Sequence, residues 1–128
     1  MNRYLLVGYL TRDLIPEGGF RFGGAVLYAG LTVRRLGFTT HILTSAAESR
    51  EELEHLFPEL FWHLCPARQT TVFENREGPS GRMQRVWARA GRIDPRAVPD
   101  LPLEIEILHL APVLDEVPPH GDFLQGLK

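Results

Sequence analysis

The sequence predicts an α/β protein with three layers, a mostly parallel central sheet between helices, and a small β-hairpin flap. Three observations carry that expectation. Arg3–Gly8 and Ile105–Pro112 are short, nearly unbroken apolar runs of the kind that form strands buried on both faces. Between them, "GGAVLYAGLTVRRLGF" followed by "TTHILTSA" reads as helix then strand, so Arg3–Ala46 makes a βαβ unit. Finally, "RQTTVFENREGPSGRMQRVWARAG" sets two β-like arms either side of a Gly-Pro-Ser-Gly turn. At 128 residues the chain suits a single domain, residues 1–128.

Each element has a local reason. The run Tyr4–Leu10 stops at Thr11-Arg12-Asp13, too short to span a membrane and without a small-residue cleavage site. Asp13–Phe22 places Pro-Glu-Gly-Gly between two short β-like pieces and reads as a small hairpin or flap. The helix opened by Gly23-Gly24 has only Thr32, Arg34 and Arg35 as clearly polar positions, which predicts a mostly buried helix. Arg34 and Arg35 suit the negative end of its dipole, and Gly37 offers a left-handed cap. Ser49–Phe57 puts Leu53, Leu56 and Phe57 on one stripe and ends at Pro58, the pattern of an amphipathic helix. Glu59–Cys65 is a short strand or an extended connection. The second arm of the 70–89 hairpin alternates Met83, Arg85, Trp87 and Arg89 with Gln84, Val86 and Ala88, so one covered and one mixed face are expected. Pro95, Pro99 and Pro102 punctuate a loop, and the segment after Pro112 has an incomplete helical pattern.

Composition narrows the function. With 44% apolar and 23% charged residues the chain is globular. A formal net charge of −2 supplies no cationic field for nucleic acid or anionic lipid. The single cysteine, Cys65, excludes an internal disulfide framework and suits a reducing cytoplasm.

Ligands of parallel sheets sit beyond the carboxyl ends of the strands, which singles out Asp13 and Gly23-Gly24. A carboxylate accepts hydrogen bonds from two adjacent hydroxyls, and amides without a Cβ let a hydroxyl or anion come close. Two readings stand at this point: a small polyol pocket, or a turn aspartate beside a tight Gly-Gly turn. Other candidates are weaker. His63-x-Cys65 offers two ligands on one strand with no second pair, so no metal site is expected. Cys65 has no catalytic histidine partner by spacing, and "GYLTRD" lacks the glycine spacing of a dinucleotide fingerprint. His109 reads as a core or pocket-rim histidine, Trp62 and Trp87 as packing residues. Arg82, Arg85 and Arg89 read as a solvated hairpin face, with an anionic ligand as the other possibility.

In order and spacing, "LLVGYLTRD", "GGAVLYAGLTVRRLG", "TTVFENREGPSGRMQRVWARAG" and "ILHLAPVLDEV" resemble the ribokinase-like (PfkB) carbohydrate kinase family, N-terminal half only. The resemblance implies that Asp13 binds substrate hydroxyls and that Gly23 and Gly24 line a sugar pocket and hinge as it closes. Where the family usually has asparagine, four residues after the second glycine, this chain has Tyr28, which brings an ordinary ribose or fructose pocket into question. The short 13–22 segment implies a reduced lid and leaves open the lid-to-lid dimer contact of some members. In that family the glycine-rich turn with the catalytic aspartate, and most of the nucleotide site, lie in the other half. Gly121-Asp122 does not match that turn, so the resemblance implies no catalytic residue in this chain, with ATP and Mg2+ bound elsewhere. Two functions compete: the sugar-, polyol- or nucleoside-binding part of such a kinase, inactive by itself, or a non-catalytic small-ligand or interaction module. The strand at Leu108–Leu110 would be a raw sheet edge, which a missing C-terminal half or a second copy is expected to cover.

Overall fold

The computed structural model describes residues 2–98, 100–102 and 104–117. Its elements in chain order are β1 (Arg3–Val7), β2 (Thr11–Leu14), β3 (Phe20–Gly23), α1 (Ala25–Arg35), β4 (Thr39–Ala46), α2 (Arg50–Leu56), β5 (Phe61–Pro66), β6 (Thr71–Gly78), β7 (Gly81–Ala88) and β8 (Ile107–Leu110). Two sheets result. The first is wholly parallel in the order β5-β4-β1-β8, and the second has the order β3-β2-β6-β7.

The apolar runs become the parallel sheet because both of its faces are covered. Side chains alternate along a strand, so Leu6, Ile42 and Trp62 face one way and pack under Val26, Leu27 and Val33 of α1 and Leu53 of α2. Leu5, Val7, Leu43 and Cys65 face the other way, against Ala90, Ile93 and Val98. Each fully buried aliphatic side chain contributes about 1.5–3 kcal/mol of transfer free energy. Among the described residues, the layer over this second face is irregular chain with one 3-10 turn at Pro95–Ala97, not helix.

The helix ends follow their sequence signals. α1 closes with Gly37 at φ +103°, its N–H bonded to Arg34 O and that of Phe38 to Val33 O, which satisfies two terminal carbonyls. α2 begins with a reciprocal capping box between Ser49 and Glu52.

Three expectations need correction. α1 is not mostly buried: Val26, Leu27, Gly30 and Val33 are covered, but Tyr28 is 56% exposed, and the cap residue Leu36 that follows the helix is 72% exposed. The apolar residues outnumber what one sheet face can cover, and the surplus at Tyr28 borders a cleft instead. β7 has no well-covered face, because the hairpin arm stands away from the core. Trp87 does not pack inside. It lies against solvent with the Arg85 guanidinium 4.9 Å above its ring and its indole N–H donated to Glu74 at 3.1 Å, whereas Trp62 is fully buried.

The 11–23 and 71–88 hairpins, separate in sequence, join through parallel pairing of β2 with β6. The second sheet therefore stands over the carboxyl end of β1. Two-residue spacing between Gly78 and Gly81, with Gly81 at φ +111°, makes the tight turn between β6 and β7.

Candidate functional site

β1 leaves the parallel sheet at Gly8, where any side chain would collide with the Ala111 carbonyl and Val26. The next residues tie the two sheets together. Leu10 N–H donates to Thr44 Oγ1 at 2.8 Å, and Tyr9 N–H donates to Glu116 Oε2 at 2.9 Å. Glu116 is fully buried and also accepts from Val113 N–H at 2.9 Å and Leu114 N–H at 2.7 Å. Three backbone donors satisfy a carboxylate that burial would otherwise penalise. Burial raises the Tyr9 phenol above its ordinary pKa, and its hydroxyl donates to Ala90 O at 2.9 Å.

Above this floor lies a cleft of about 320 Å³. Thr11 and Asp13 of β2, Gly24, and Ala25 and Tyr28 of α1 form one part of its lining. Phe73 and Asn75 of β6, Arg82 and Gln84 of β7, and Val113 form the rest. Asp13 is a strand residue and not a turn residue. Its Oδ1 accepts from Thr11 Oγ1 at 2.8 Å, and its other oxygen lies against Gly23, where a Cβ would overlap it. Gly24 has φ +98°, and a Cβ there would run into the Tyr9 carbonyl. The two glycines thus let the carboxylate and the β1 exit pack against the start of α1. No side chain caps that helix start; Ala25 is exposed there on the cleft, whereas Val26 and Leu27 are buried and the Leu27 N–H donates to Gly24 O at 3.1 Å.

The structure brings Asp13, Gly24 and Tyr28 to one cleft and sets Gly23 behind Asp13. Sequence reasoning missed Thr11, Asn75 and Gln84. Gln84 donates to Asn75 Oδ1 at 3.0 Å across the hairpin. The signal for Asn75 and Gln84 is the hairpin register: counted back from Gly78 and Gly81, both fall on one face.

Neighbouring polar groups brace the cleft. Arg12 donates to Glu48 Oε2 at 2.7 Å, and the other oxygen of this buried carboxylate accepts from the Thr70 hydroxyl. Thr70 Oγ1 accepts from Ala47 N–H at 2.9 Å, and Thr71 Oγ1 accepts from Ala90 N–H at 3.0 Å. The other candidates have structural roles. His109 bonds the Tyr4 hydroxyl at 3.1 Å. Cys65 is buried, its thiol donates to Asp94 O at 3.4 Å, and burial pushes its pKa up. His63 contacts His41 and not a metal-binding set: among the described residues no group of three or more His, Cys, Asp or Glu is placed to hold a metal ion. Gly121 and Asp122 lie outside the described residues. No helix among them is long and apolar enough to cross a membrane.

A sulfate complex of a pyrophosphate-dependent kinase in the ribokinase family matches this chain with a TM-score of 0.71 at 22% identity, over 90% of this chain and 43% of that one. The fold is that of the ribokinase family. The same ribokinase-type architecture appears in a sugar kinase from Pyrococcus horikoshii, with a TM-score of 0.65 at 17% identity over 85% of this chain and 42% of that one. A fructokinase from Vibrio cholerae bound to fructose, ADP and calcium matches with a TM-score of 0.56 at 20% identity, over 79% and 38%. The chain spans about two fifths of the length of these ribokinase-type structures. No protein-family model and no curated protein matches the sequence.

Proposed function

We propose that this chain is the acceptor-binding part of a ribokinase-type phosphotransferase, holding a sugar, polyol or nucleoside while the γ-phosphoryl group of ATP passes to one of its hydroxyls. The observation that carries the reading is Asp13, held by Thr11 against Gly23 on a cleft that also includes the exposed, uncapped start of α1 at Ala25. Such a carboxylate accepts from a pair of hydroxyls. A structural neighbour that is a pyrophosphate-dependent kinase was solved with a pyrophosphate analogue and myo-inositol, which supports a polyol acceptor.

Among the described residues no group of three or more His, Cys, Asp or Glu is placed to hold Mg2+, and no transfer step is assigned to any of them. On this reading the base that deprotonates the acceptor hydroxyl comes from the remainder of the fold. The lone buried thiol of Cys65 supports a cytoplasmic setting. A second reading is a non-catalytic module that binds the same ligands.

The test is a calorimetric screen of sugars, polyols and nucleosides on the native chain and Asp13→Ala, with native mass and phosphorylation assays using ATP and pyrophosphate alongside. Binding that is lost in Asp13→Ala with an unchanged melting temperature supports the site. Unchanged affinity overturns it. Phosphorylation that requires a second polypeptide favours the kinase reading, and binding without transfer by any assembly favours the module.

A further inference from the structure

We infer that the ligand of this cleft carries an anionic group in addition to its hydroxyls, and that Arg82 receives it. The inference rests on the polyol reading of the same cleft and adds the ligand's charge. Of the arginines on the β6–β7 hairpin and just beyond it, Arg76 pairs with Glu74 at 3.0 Å, Arg85 lies over Trp87, and Arg89 is bonded to Asp115. Arg82 differs: it lines the cleft and makes no ion pair or hydrogen bond among the described residues.

Asp13 is equally without a cationic partner among the described residues, its one bond coming from Thr11. The cleft therefore holds one carboxylate and one guanidinium that do not neutralise each other, with the Asn75–Gln84 amide pair also on its lining. A neutral polyol uses only the carboxylate and the amides. A compound with hydroxyl donors at one end and a carboxylate or phosphate at the other satisfies both charges, and a guanidinium binds either anion through paired N–H donors. Tyr28 adds a ring face and one hydroxyl to the lining and competes for neither charge.

Two matched pairs of probes test the inference by calorimetry at fixed ionic strength: sorbitol with gluconate, and myo-inositol with a myo-inositol monophosphate. In at least one pair the anion is expected to bind about tenfold tighter than its neutral partner. The pair that shows the preference tells carboxylate from phosphate. Arg82→Gln should abolish the preference, whereas Arg85→Gln, outside the cleft, should leave it in place. Equal affinities within both pairs, or a preference that survives Arg82→Gln, overturn the inference while leaving the polyol site standing. Anion binding that persists in Asp13→Ala but is lost in Arg82→Gln supports Arg82 and overturns the hydroxyl site. No binding by any of the four probes overturns the inference, and the wider ligand screen then decides the Asp13 reading separately.

Discussion

A methyl group added at Gly23 meets the end of a side chain, while one added at Gly24 meets backbone. Gly23→Ala displaces the Asp13 carboxylate, which can swing away, so stability should change by only about 1 kcal/mol while ligand affinity falls at least tenfold. Gly24→Ala forces a residue with a Cβ into φ +98° against the Tyr9 carbonyl, and should cost on the order of 1–3 kcal/mol in chemical denaturation. Equal losses of stability in the two variants would contradict this division of labour. The sequence marks both glycines as close-approach positions, because little except a turn or a tight contact asks for two of them before a helix. It cannot show which neighbour each one meets. That depends on β2 and β3 pairing so that Thr11 lies opposite Gly23 and Asp13 opposite Arg21.

At the edge of the parallel sheet, β4 and β5 bring two histidines together. His41 Nδ1 and His63 Nε2 are 2.9 Å apart with the rings stacked, and His63 Nδ1 is 3.4 Å from Asp100, which also binds Arg50. Donation from His63 Nδ1 to Asp100 leaves Nε2 as acceptor, so His41 donates to it. Burial, His63 and the Arg3 charge lower the His41 pKa to about 4, and burial also lowers that of His63 against the pull of Asp100. Burial alone would raise the Asp100 carboxyl, but hydrogen bonds from Arg50 and His63 hold it below its usual range. For His41 the unfolded chain, near 6.5, binds more protons than the folded one between pH 6.5 and about 4. Its contribution is complete above pH 6.5 and is lost as the pH falls toward 4. Melting temperatures should decline over that window, and His41→Gln should flatten the decline; the same slope in the variant would show that other groups cause it. His63 is visible in the sequence only as a neighbour of Cys65. Its real partner sits 22 residues away and is revealed by strand register, unlike the Ser49–Glu52 capping box, which adjacent letters spell out.

Across the whole molecule, among the described residues β8 ends the parallel sheet with its outer side unpaired. Ile107 is 39% exposed, and a row of backbone donors and acceptors beside it is a template for another strand. Purified without a partner polypeptide, the 14.5 kDa chain should run as a dimer or larger species by light scattering, and Leu108→Pro should shift it toward monomer. A monomer at high concentration without that substitution would mean the edge is already protected. The parallel sheet and the helices over one of its faces are legible as apolar runs, since burial on both faces leaves a direct mark on composition. The union of two hairpins into a second sheet is not legible, because β2 and β6 are 60 residues apart in pairing and neither carries a mark of the other. Glu116 extends this point in time. It grips the Tyr9 amide across a sequence separation of 107 residues, so the floor of the cleft cannot close until nearly all the described chain is available. On a ribosome, the core made by β1, α1 and β4 can assemble early, and closure of the cleft must wait. In refolding, recovery of ligand binding should trail the burial of Trp62, with the gap between the two signals set by how fast Tyr9 and Glu116 find each other.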